Sequence, residues 1–182
     1  MQKKSMHAMI GLFVALSLMA CSPDHNWRQV SLEGTVVKAQ LPCKPDRATR
    51  VLPLGGAAME MQMLGCENAG TTFALMTVAL PAGMDANSVM LGWQKATLSN
   101  ARVKEPLSVA PRLIWQGAGF LPMTASVRIQ ATGQKGDGQA VWLDAAWGAV
   151  AEGDHVRLLH AVVYNRHAVT ELADTLMEAV RP

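Results

Sequence analysis

Residues 71–80 read TTFALMTVAL, and the cover that this segment demands decides the architecture. Its two alternating sets, Phe73, Leu75, Thr77, Ala79 and Ala74, Met76, Val78, Leu80, are both largely apolar. Successive side chains of a strand point to opposite faces, so a strand that is apolar on both needs a layer against each. One layer follows at once. After Pro81 a helix-like segment, capped by Asp85, repeats Val89, Met90, Trp93 and Thr97 at helical spacing.

Working outward, residues 35–41 and 58–64 read as strands, joined by a loop punctuated by Pro42, Pro45, Pro53, Gly55 and Gly56, with Cys43 and Cys66 just past the strand ends. From residue 127 the pattern is an antiparallel meander: 127–134, a turn through Gly136, Asp137 and Gly138, then 140–150, a turn at 152–154, and 155–164. The Asp-Gly step is a strong hairpin signal. A last helix over 168–180 gathers Val169, Leu172, Ala173, Leu176 and Val180 on one side, away from Glu171, Asp174 and Glu178. The expected fold is α+β, a mainly antiparallel sheet with helices packed on its faces, in a single domain over residues 27–182.

The start of the chain has a different character. Lys3 and Lys4 precede an apolar run over residues 8–19, and the small residue Ala20 precedes Cys21. This is the layout of a secretion signal. The uncharged stretch, about a dozen residues, falls short of the ~20 that span a bilayer. Leu18, Met19, Ala20 and Cys21 resemble a bacterial lipobox. The resemblance implies a signal peptide over residues 1–20, a lipid attached to Cys21 as the first residue of the mature chain, and a short tether over 21–26. Two acyl chains suffice to hold a protein at a membrane. In Gram-negative lipoproteins an Asp after the lipidated cysteine resembles an inner-membrane retention signal. Ser22 stands there instead, which implies the periplasmic face of the outer membrane, with a tether reaching about 20 Å.

Loss of Lys3 and Lys4 with the signal takes the 16 Lys and Arg to 14, against 14 Asp and Glu, so the mature net charge is zero. The arginines are scattered without a basic run, and neither nucleic acid nor an anionic lipid surface is implied as a partner. With Cys21 consumed by lipid, Cys43 and Cys66 remain as an even pair in an oxidising compartment, and a structural disulfide is expected. A redox pair would call for the close spacing of a Cys-x-x-Cys motif, which is absent.

The run VVKAQLPCKPDR at residues 36–47, followed by the later helix, the meander and the terminal amphipathic helix, resembles the layout of small bacterial lipoproteins with a PsbP-like α/β/α sandwich. That resemblance rests on element order and on the Leu-Pro-x-x-Pro strand end. It implies a family of mainly non-catalytic binding and assembly proteins.

Catalytic signatures are missing from the sequence: there is no Gly-x-Ser-x-Gly elbow and no phosphate-binding loop, and Gly117-Ala118-Gly119 lacks the third glycine of a dinucleotide fingerprint. His155 and His160, five apart in one expected strand, fall on opposite faces and cannot share a metal, while His167 precedes the last helix. Trp142 and Trp147 likewise face opposite sides. Trp93 belongs to the helix, and Trp27 and Trp115 to expected edges, so no single aromatic platform forms.

Met59, Met61 and Met63 alternate with Glu60 and Gln62. They read as a core face, since thioethers fill irregular apolar gaps. The alternative is a soft Cu(I) site made by the same three sulfurs. The function expected from sequence is a lipid-anchored periplasmic protein, non-catalytic and without a cofactor, that binds an envelope protein or a small ligand. A periplasmic Cu(I)-binding protein is the alternative, and an envelope enzyme comes third.

Overall fold

The computed structural model describes residues 25–103 and 113–182. The signal peptide, the lipidation of Cys21 and most of the tether expected from the sequence lie outside the described residues. The TTFALMTVAL segment forms strand β5 (Thr71–Ala79), third in a six-stranded sheet of order β3-β4-β5-β8-β7-β6 in which every neighbour is antiparallel. The other five strands are β3 (Asp46–Leu54), β4 (Ala57–Asn68), β6 (Val127–Gln134), β7 (Ala140–Glu152) and β8 (His155–Asn165). Ahead of them, β1 (Arg28–Ser31) and β2 (Lys38–Leu41) pair in a separate two-stranded sheet. Helix α1 (Ala86–Asn100) follows β5, and α2 (Thr170–Ala179) follows β8.

The two faces of the large sheet carry separate cores, as the two apolar sets of β5 require. On one face Phe73 and Leu75 of β5 and Leu159, Ala161 and Val163 of β8 pack with Val37, Ala39 and Leu41 of the small sheet and with Ala173, Leu176 and Met177 of α2. On the other, Val78 of β5 and Leu158 and Val162 of β8 pack with Met59, Met61 and with Val89, Met90 and Trp93 of α1. Because alternate residues of the same strands enter different cores, the helices lie on opposite faces. Asp85 caps α1 as expected, its carboxylate accepting from the Ser88 N–H at 2.8 Å.

A buried charge cluster binds α2 to its face. Asp144, fully buried on β7, takes both carboxylate oxygens to Arg128 at 2.7 and 2.6 Å and accepts from Gln130 at 2.7 Å. Arg128 reaches on to Asp174 of α2 at 2.6 Å. Charge-assisted hydrogen bonds to Asp144 hold the Arg128 guanidinium above its usual pKa.

The structure corrects several expectations. The Pro- and Gly-rich loop contains β3, an edge strand with eight of its nine residues exposed. It shows no apolar alternation because neither face is fully covered, and an edge tolerates Pro53. Gly55 and Gly56 close the β3–β4 hairpin with φ of 61° and 85°, the double positive φ of a tight two-residue turn. The strands read at 35–41 and 58–64 are not sheet neighbours: β2 pairs with β1, and β4 lies between β3 and β5. Cys66 sits inside β4 rather than past its end. Trp115 is buried, not at an edge. Its indole N–H points to the Met177 carbonyl at 3.4 Å and its ring meets Phe120 edge-on, above Gly148, where a Cβ would crowd both rings.

Candidate functional site

Helix α1 covers its face of the sheet incompletely, and where it ends a cleft of about 300 Å³ opens. Three chain-distant segments build it. The floor comes from Thr72 and Tyr164, cross-strand partners on β5 and β8, with Val141 of β7. Asn100 and Ala101 end the helix on one side, and Gln134, Lys135 and Gly136 of the β6–β7 hairpin stand on the other. The walls are held together by the backbone: the Gln134 N–H donates to the Ala101 carbonyl at 2.8 Å, and the Val103 N–H returns to Leu98 at 3.0 Å. Gly133 permits this approach, since a Cβ there would run into the Ala101 carbonyl oxygen.

Of the eight described residues that line it, Lys135 alone is charged. Burial raises the Tyr164 pKa above that of a free phenol, which is itself protonated at neutral pH, and the hydroxyl is available as a donor. Among the described residues the side chains of Thr72, Asn100, Lys135 and Tyr164 make no hydrogen bond or ion pair with protein. Among the described residues the lining contains no carboxylate, histidine or thiol beside these hydroxyls. The described lining offers one cation and a few neutral polar groups around Val141 and the Tyr164 ring.

The floor continues under the flank of α1. Along β5, Thr72 is followed on the same face by Ala74 and Met76, and Met76 pairs with Met63 of β4. Ala74, Met76 and Met63 are only partly buried. Across the next strand the register continues to His160 and Trp147. There the cover is complete: His160 is 1% exposed, its ring stacked on Trp147 at 4.4 Å and 5° and met edge-on by Trp93 at 5.4 Å. Nδ1–H donates to the Ala146 carbonyl at 3.0 Å, and Nε2 lies 3.5 Å from the Thr97 hydroxyl. Burial lowers the imidazole pKa from 6.5 to about 4, so it is a neutral core residue at pH 7.

The residues singled out from sequence fall in distinct places. Cys21 lies outside the described residues. Cys43 and Cys66 form a disulfide with a Cα–Cα distance of 6.0 Å, within the range a bridge requires. Met59 and Met61 are 3% and 4% exposed beside Val89, Met90 and Trp93, and Met63 is half-covered at the margin. His155 and His160 occupy opposite faces, and His167 is exposed, its N–H donating to the Asn165 side chain. Trp142 and Trp147 belong to the two different cores. Among the described residues no group of three or more His, Cys, Asp or Glu is placed to hold a metal. Sequence reasoning missed the cleft itself. The one available signal was Tyr164, the single tyrosine, which follows the apolar run Ala161-Val162-Val163 near the end of its strand.

The chain matches no protein-family model and no curated protein sequence.

Proposed function

We propose that this is a lipid-anchored protein of the periplasmic face of the outer membrane, acting by non-catalytic binding as an envelope accessory protein. The cleft at the end of α1 carries the reading: Thr72, Asn100, Lys135 and Tyr164, whose side chains have no hydrogen-bond or ion-pair partner among the described residues, converge around Val141 and the Tyr164 ring. The lipobox resemblance at Cys21 supports the anchor, and the Cys43–Cys66 bridge suits an oxidising compartment. A sheet with one helix on each face supports the PsbP-like resemblance and its association with binding rather than turnover.

The test is photo-crosslinking in cells. Benzoylphenylalanine in place of Asn100, on the cleft wall, is compared with the same substitution at Glu171, exposed on α2 across the sheet. A discrete adduct from position 100, absent from position 171, is the expected result. No adduct at the cleft, or the same adducts from both positions, would contradict the reading.

A further inference from the structure

We infer that the cleft takes a single-chain acyl carboxylate, with its head at Lys135 and Tyr164 and its chain lying along Ala74, Met76 and Met63. This rests on the binding function proposed above and specifies its ligand. Charge selects the head. Lys135 is the one charged residue among the described lining residues and has no ion-pair partner among the described residues, so a negative head group on the ligand complements it. A carboxylate also offers a second oxygen. The Tyr164 hydroxyl supplies a donor to it, and a charge-assisted hydrogen bond of this kind is stronger than a neutral one.

Continuity of the sheet face selects the chain. Ala74 and Met76 succeed Thr72 on the same face of β5, and Met63 is the cross-strand partner of Met76. All three are partly exposed beside the buried Val78, Leu158 and Val162 that pack under α1. The path therefore leads from the polar cleft along apolar side chains. Thioethers on unbranched side chains adapt to a flexible methylene chain better than branched residues do. The strand spacing of about 3.3 Å per residue makes the path from Thr72 to Met76 about 13 Å, near the extended length of a ten-carbon chain.

Decanoate carrying a terminal diazirine is the probe, applied to the full lipidated protein reconstituted in vesicles, with the labelled residues mapped by mass spectrometry. Labelling is expected at the Met63 and Met76 peptides, suppressed by unlabelled decanoate but not by decanol. It should fall about tenfold or more in Lys135→Glu, the scale of one charge-assisted contact, and survive in Lys135→Arg. Lys135 is exposed, so neither variant endangers the fold. Scattered labelling, or labelling insensitive to Lys135→Glu, would overturn the inference, and equal competition by decanol would overturn the carboxylate head. A positive Asn100 crosslink with negative decanoate labelling rejects only the acyl ligand. Failure of both rejects the binding function as well.

Discussion

Burial makes His160 a sensor of acid for the whole domain. Its folded pKa of about 4 lies below the unfolded value of 6.5, so between these pH values the unfolded chain binds the extra proton. Stability therefore decreases as pH falls from about 6.5 to about 4, and this contribution levels off below. The loss amounts to about 3 kcal/mol at 1.36 kcal/mol per pKa unit. Urea denaturation at a series of pH values should show it, and His160→Gln should flatten the profile in that window. An unchanged profile would mean that the imidazole is not buried in this way. Met59, Met61 and Met63 provide a second residue-scale test. Replacing all three with leucine roughly keeps volume, and each swap is expected to cost under about 1.5 kcal/mol. Wild-type protein is expected to take up no Cu(I) tightly in competition with a chromogenic chelator. Stoichiometric uptake that vanishes in the leucine variant would reinstate the copper alternative. Strand parity was enough to separate His155 from His160 in the sequence. That His160 lies between two indoles was hidden, because Trp93 and Trp147 come from distant segments.

At the scale of elements, legibility followed cover. The two apolar sets of β5, the Asp85 cap and the hairpin glycines were readable because each leaves a local pattern. β3 was not, since an exposed edge strand imposes no alternation and its prolines read as a loop. The disulfide shows the same limit. Cysteine arithmetic supplied the pairing, but the bridge does not join two adjacent strand ends. It ties the exit of the small sheet, just after β2, into β4 of the large one. The small sheet covers the α2 face, so the bridge secures that layer. Removing it by Cys43→Ala with Cys66→Ala frees a loop with a sequence separation of 23. The expected cost is about 3 kcal/mol in equilibrium denaturation. A cost near zero would show that the small sheet is held by packing alone.

For the whole molecule, the layered α+β architecture could be derived from the sequence because a sheet apolar on both faces leaves few other solutions. The cleft could not, because Thr72, Asn100, Lys135 and Tyr164 meet only after the chain has folded. Anchoring and binding together make the central claim, that a domain held at the membrane through Cys21 receives a ligand in the cleft at the end of α1. Native mass spectrometry of the protein gently extracted from envelope membranes tests it most directly. The account expects a chain beginning at an acylated Cys21 that retains a discrete non-covalent mass, with that mass lost when Lys135→Glu and Tyr164→Phe are combined. A chain without acyl groups would contradict the anchor, and a bare mature protein, or a mass retained equally by the double variant, would contradict the site.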